Sequence, residues 1–290
     1  MNSSTAAQTP EMPSESQKAA LITLLSDEDP GVYQTIRDKI LSFGHESLFW
    51  LRPHTLSSNP ALRRRVQEIV QHFARKEADN RFLAFCLTEG EDLNLEQGAW
   101  LLTQTQFPDT NLEAYQALLD SYAGELRERI DPRGEAEHII GNFNDYLFGV
   151  LGFTGNEQNY YEPENNYLNR VMDRRTGNPI NLCLVYLLLA KRLRLPIVGI
   201  GLPGHFICRF QSSSEEYYID VFNKGKLWTK ANCIQYLLYG NYPVSDEHLA
   251  PVTSRRMLIR MCGNLHQIYH NLDRHDETTR LQRYLIALAK

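Results

Sequence analysis

The sequence predicts an α+β fold: helices before and after, with a short antiparallel meander in the second half. Three observations predict it. From Gln17 to about Ile130 the apolar residues recur at helical spacing, with capping signals at the segment starts. The run "PINLCLVYLLLAKRL" from Pro179 is apolar nearly all round, the mark of a buried helix. Three strand-like runs follow it, "PIVGIGL", "HFICRF" and "EYYIDVF". A buried helix leading into a meander is an α+β order.

The elements are justified in turn. At 290 residues the chain can bury a full core, and its length suits two domains plus a tail. Residues 1–16 are rich in Ser, Thr, Pro and Glu and are expected to be disordered. Residues 17–134 are expected to form a helical domain that contains a repeat. "DPGVYQTIRDKI" at Asp29–Ile40 aligns with "NPALRRRVQEIV" at Asn59–Val70, thirty residues on, matching Val32 with Leu62, Ile36 with Val66 and Ile40 with Val70. Asp29 and Asn59 suit N-caps, and Pro30 and Pro60 suit the first turn. This is a HEAT-like pattern or simply two similar amphipathic helices, since a solenoid needs about three units. "LEQGAWLLTQ" and "LEAYQALLDSYAGELRERI" read as further helices, and "DPRG" marks a boundary. Residues 135–250 are expected to hold the mixed core. It opens with the short helix "HIIGNFNDYLFGVLGF" and an Asn/Tyr/Gly-dense segment, Thr154–Pro179. Residues 251–290 read as a helical hairpin broken at Asp273–His275.

Composition removes several function classes. The net charge is −5 and the densest basic run is Arg63–Arg65, so no nucleic-acid partner is expected. The five cysteines are scattered, with no CxxC, and sit in apolar runs as reduced thiols would. The first residues lack a signal peptide's pattern, and the longest apolar run is too short for a bilayer. A cytoplasmic protein without a membrane partner is expected. No phosphate loop, nucleophile elbow or EF-hand appears, so no cofactor is expected. Cys262, His266 and His270 recur every four residues but lack the glutamate of a zinc-protease helix, and core packing explains them better than a metal.

His205 and Asp220 raise the question of chemistry. If "HFICRF" and "EYYIDVF" pair across "QSSSE", a closure around Ser212-Ser213 sets His205 opposite Asp220, Arg209 opposite Glu216 and Ile207 opposite Tyr218. A slip of one residue would turn the faces over. A carboxylate beside a histidine fixes the tautomer and supports the protonated ring, as base catalysis requires. A structural hydrogen bond at a sheet edge is the other reading.

Four motifs carry a resemblance: "GNFNDYLFGVLGFTGN", "YYEPENNYLNRVMDRRTGNPINL", "LPGHFICRF" and "YIDVFNKGKLW". In this order they resemble the transglutaminase-like proteins of the bacterial SirB type, densely between Gly141 and Trp228. The resemblance implies an N-terminal helical region, a transglutaminase-like (papain-like) core and a tetratricopeptide-like tail. It also implies that His205 and Asp220 stand where the superfamily has its general base and orienting acid. The superfamily's nucleophile belongs at the first turn of the buried helix, where free N–H groups and the helix dipole depress a thiol pKa. That turn here reads Asn178-Pro179-Ile180-Asn181. Cys183 is the nearest thiol, about one turn inside. Asn181 lacks a useful pKa but can hydrogen-bond in a cleft that binds without reacting. Asn166, Tyr161 and Tyr167 in the Asn/Tyr segment are candidate binding residues at its rim. Two function classes follow. The first is a non-catalytic module that binds a protein or peptide partner. The second is a cysteine-dependent amide hydrolase or acyl transferase using Cys183, His205 and Asp220.

Overall fold

The computed structural model describes residues 12–212 and 215–290. The chain divides into two compact units, 1–78 and 79–290. In the first, α1 (Glu15–Leu24) starts inside the segment read as a tail. Ser14 caps it, accepting from the Gln17 amide while the Gln17 side chain accepts from the Ser14 amide, which satisfies two otherwise free donors. The rest of that expected tail, residues 1–11, lies outside the described residues. Next come α2 (Pro30–Ser42), the short α3 (Ser47–Leu51) and α4 (Pro60–Thr88). Asp29 accepts from the Gly31 amide at 2.7 Å, and Asn59 from the Ala61 amide at 2.9 Å. Ile40, Leu62, Val66, Ile69 and Phe73 join Leu25, Leu48 and Leu51 in this unit's own core.

The second unit begins within α4. It continues through α5 (Leu95–Gln106), α6 (Leu112–Arg127) and α7 (Ala136–Asn144), then a π-helical turn at Asp145–Val150. Two two-residue strands, β1 (Thr154–Gly155) and β2 (Thr176–Gly177), pair in parallel on either side of α8 (Leu168–Arg174). Behind them lies α9 (Pro179–Leu193), of whose 15 residues 12 are buried, as its all-round apolarity requires. The antiparallel sheet follows in the order β3 (Ile197–Ile200), β4 (Ile207–Gln211), β5 (Glu216–Asp220) and β6 (Lys226–Trp228). Then come α10 (Lys230–Tyr239), α11 (Ser254–Asn271) and α12 (His275–Leu288), the last two forming the expected hairpin. The fold is α+β.

One apolar core runs through this unit. It contains Trp100 and Leu126 from α5 and α6, Leu184 from α9, Cys208 and Ile219 from the sheet, and Leu258 and Tyr284 from α11 and α12. The stretches 95–134, 135–250 and 251–290 all contribute to this core, and a smaller cluster that includes Ile207, Tyr218 and Leu237 lies within 135–250.

After β5 the chain turns through Gly225, with Lys224 and Lys226 exposed, into β6, whose Leu227 opposes Ile219. One strand expectation is corrected, the β4–β5 register. Cys208 opposes Ile219, Arg209 opposes Tyr218, and Gln211 opposes Glu216. The ladder extends one residue further toward the loop than expected, and the Ser212 amide donates to the Glu215 carbonyl at 2.9 Å. The expected closure at Ser213 falls partly outside the described residues. The shift is two residues, so every side chain keeps its face. Arg209 still reaches Glu216, now diagonally, at 3.3 Å.

The α11–α12 hairpin is tied down by one buried guanidinium. Arg255 donates to the carbonyls of Leu288 at 2.9 Å and Ala287 at 3.2 Å on one side, and to that of Glu89 at 2.7 Å on the other. These are carbonyls at helix ends, which lack partners within their own helices. We expect Arg255→Ala to destabilise the protein by about 3 kcal/mol, because it strands several buried acceptors at once. Urea unfolding checks this, and a loss below about 0.5 kcal/mol, the usual range of a surface change, would contradict it.

Candidate functional site

Asp220 ends β5 and is wholly buried. The turn that follows is shaped around its carboxylate. The Asn223 amide donates to Oδ1 at 3.3 Å and the Asn223 side chain to Oδ2 at 2.7 Å, while the Gly225 amide donates to the Asp220 carbonyl at 2.9 Å. Gly225 has φ +73°, and a Cβ there would lie 2.3 Å from the Asn144 side chain. Glycine is required on both counts. Asn144 in turn donates to the Gly225 carbonyl at 3.0 Å and accepts from the Tyr186 hydroxyl at 3.1 Å.

His205 does not lie in a strand. It closes a turn ahead of β4, its amide donating to the Leu202 carbonyl at 3.1 Å, with Gly204 at φ +73°. Arg260 of α11 grips this turn from behind, donating to the carbonyls of Leu202 and His205 at 2.7 Å each. From there His205 Nε2 reaches Asp220 Oδ1 at 2.9 Å. Burial works to raise the Asp220 pKa, but the hydrogen bonds from His205 and Asn223 outweigh it and hold the carboxyl below its ordinary value. An ionised carboxylate only accepts, so Nε2 carries the proton. Nδ1 is left without a hydrogen-bond partner among the described residues.

His205 and Asp220 line a cavity of about 310 Å³ together with Tyr160, Pro179, Gly204, Phe222, Asn223, Trp228 and Tyr236. Around the imidazole the ring centroids of Phe222, Trp228 and Tyr236 stand at 6.3, 6.1 and 5.9 Å, and Tyr160 packs edge-on against Phe222 at 5.9 Å.

The other candidate residues lie elsewhere. Cys183 is wholly buried, its thiol donating to the Phe206 carbonyl at 3.5 Å. Burial first, and the neighbouring Cys208 second, push that thiol well above its ordinary pKa. What the first turn of α9 presents to the cavity is Pro179. Asn181 is buried, and both its amide and its side-chain nitrogen donate to Asn178 Oδ1 at 3.0 Å. Asn166 is buried as well and accepts from Asn178 Nδ2 at 2.6 Å. These amides build the loop rather than line the cavity. Tyr167 belongs to the apolar core, its hydroxyl 3.0 Å from that of Tyr269. Tyr161 is exposed and rests against Tyr160. Tyr160 is the lining member of that pair, and Asn165 holds its backbone by donating to its carbonyl at 3.1 Å. Tyr160 was visible in the Asn/Tyr cluster, and Trp228 and Tyr236 followed the aspartate by 8 and 16 residues. Arg260 gave no sequence signal, since only packing of α11 brings it here. Among the described residues no group of three His, Cys, Asp or Glu is arranged to hold a metal.

The Asp220 shift fixes a pH dependence. Its folded pKa lies below the unfolded value of about 3.9. The stability it contributes is therefore complete above about pH 4 and is lost as pH falls through the lower, folded value. We expect Asp220→Asn to cost about 1–3 kcal/mol at pH 7, a difference that shrinks toward pH 2.5. Unfolding midpoints across that range check this, and a difference independent of pH would refute it. We also expect Gly225→Ala to lower stability by more than 1 kcal/mol, through both φ and the clash with Asn144. An unchanged melting temperature would refute that.

Comparison with known proteins agrees with this geometry. A family model described as the transglutaminase-like superfamily matches residues 113–263. A UPF0162 protein of Xylella fastidiosa (strain Temecula1) is 34% identical over 207 residues, covering 69% of this chain and 73% of that protein. A UPF0162 protein of Pseudomonas aeruginosa is 25% identical over 190 residues, 63% of this chain and 67% of that one. F-box only protein 21 of Mus musculus is 36% identical over 135 residues, 44% of this chain but 21% of the longer mouse protein. No solved structure matches. With its buried helix, its meander and its His–Asp pair within the matched span, the chain belongs to the transglutaminase-like superfamily.

Proposed function

We propose that this protein is a SirB-type member of the superfamily that binds a peptide segment of a protein partner without turning it over. The observation that carries the reading is the make-up of the cavity. His205 and Asp220 are paired, but among the described residues neither a thiol nor an aliphatic hydroxyl lines the space in front of them. Nucleophilic catalysis needs an activated atom within hydrogen-bond reach of the base. Cys183 is bonded to a backbone carbonyl in the core, and its raised pKa keeps it a thiol.

Aromatic rings around a small concavity suit a peptide side chain. Tyr and Trp are the residue types that most often anchor protein interfaces. The capped pair α2 and α4, read as HEAT-like, and the hairpin α11–α12, read as tetratricopeptide-like, supply helical surface for the rest of the partner. Five free, buried cysteines suit a reducing, cytoplasmic setting. No helix among the described residues is long and apolar enough to cross a membrane.

The intact His–Asp pair keeps one alternative in play, an amide hydrolase or acyl transferase that acts through Cys183. Iodoacetamide labelling from pH 5 to 9, read by mass spectrometry, separates the two. We expect Cys183 to stay unlabelled in the folded protein and to react only in urea, with His205→Ala behaving alike. Fast labelling near pH 6 that disappears in His205→Ala would establish an activated thiolate and displace the binding reading.

A further inference from the structure

Granting that the His205 cavity binds a peptide, its polar groups and its charge specify which part of one. Two cavity-lining residues each carry a polar atom without a hydrogen-bond partner among the described residues, His205 its Nδ1 and Tyr160 its hydroxyl. Burial pushes the Tyr160 phenol up, so at neutral pH that hydroxyl is a donor. With Nε2 held by Asp220, a second proton on the ring goes to Nδ1, which then donates toward an anion.

The surrounding charge has one sign to spare. Arg260, from α11, has no acidic partner among the described residues. Its bonds go to the two carbonyls of the His205 turn, and its charge acts on both Tyr160 and Tyr236. Among the described residues Asp220 is the one acid lining the cavity, and it is hydrogen-bonded to His205 and Asn223. Four aromatic rings alone would suit a cation, but Arg260 opposes one. A ligand anion answers both the unneutralised charge and the unpartnered donors.

The remaining walls, Phe222, Trp228, Tyr236 and Pro179, are predominantly apolar, and about 310 Å³ is at the small end of ligand cavities, room for one large side chain. We propose that the cavity captures the C-terminal residue of a partner peptide, the α-carboxylate bonded to Tyr160 and to protonated His205, and an apolar or aromatic side chain set among Phe222, Trp228 and Tyr236. An internal peptide segment would bring the side chain but not the charge.

The test uses the full chain and calorimetric titration at pH 6.5 with acetyl-Gly-Gly-Phe as the free acid and as its amide. Tetramethylammonium is the cation control. We expect the acid to bind at least tenfold more tightly than the amide. Tyr160→Phe, which removes one oxygen from a half-buried ring and leaves folding intact by circular dichroism, should erase most of that preference. Phe222→Ala should weaken acid and amide alike. Equal affinity for acid and amide, no binding of either, or tighter binding of tetramethylammonium than of the acid would overturn the proposal. Mass spectrometry of the recovered peptide keeps the two readings apart. A shortened or modified peptide would remove the non-catalytic reading while an acid-over-amide preference still upheld carboxylate capture.

Discussion

The site is organised around one buried hydrogen-bonded pair, Asp220 with His205. Taking a carboxylate out of water costs several kcal/mol unless its oxygens are all answered. The local structure answers them. Asn223 meets the oxygens that His205 leaves, the Gly225 turn carries Asn223 into place, and Asn144 holds the turn. On the other side Arg260 fixes the His205 turn through two carbonyls. A helix from before the sheet and a helix from near the C-terminus are thus both committed to one 2.9 Å contact. This also explains why the tail shares the core of the mixed region. A hairpin that only capped the end of the sheet would not need a guanidinium behind the imidazole.

How much of this the sequence disclosed depended on the range of each interaction. Helix starts are local: Asp29 and Asn59 cap as expected, and Asn178 caps α9 in the same way. The faces of β4 and β5 were also readable, because alternation has period two. A register off by two residues preserves them, so the pairing of His205 with Asp220 survived although His205 lies outside the strand. The loop from Thr154 to Pro179 was not readable in that way. It has no period to decide whether Tyr160 or Tyr161 faces inward, or that Tyr167 turns into the core while the Asn166 and Asn181 side chains bond that of Asn178. Arg260 is 55 residues from His205, and nothing near it in sequence marks it.

The division into compact units is likewise not marked in the sequence. The two compact units divide at Ala78 and Asp79, in the middle of α4. No glycine or proline falls there, and the helix runs on unbroken. Phe73 joins one core and Phe82 another, nine residues apart on one helix. The "DPRG" turn, by contrast, is a true turn, yet helices on both sides of it join the same core. Punctuation in a sequence reports where the backbone bends. Which core a helix joins is set by the partners its apolar face finds.

That no thiol or aliphatic hydroxyl among the described residues lines the cavity follows from how α9 is built. A thiol at a helix N-terminus becomes reactive when free N–H groups stabilise its anion. Here Pro179 removes one of those donors outright. The Asn181 amide is taken by the Asn178 cap. Cys183 lies a turn further along, where the dipole has faded, among leucines and against the Phe206 carbonyl. The features that cap and bury α9 so completely are the same ones that leave its first turn with little to activate a thiolate. What remains at the cavity is the hydrogen-bonded His205–Asp220 pair and a set of aromatic walls.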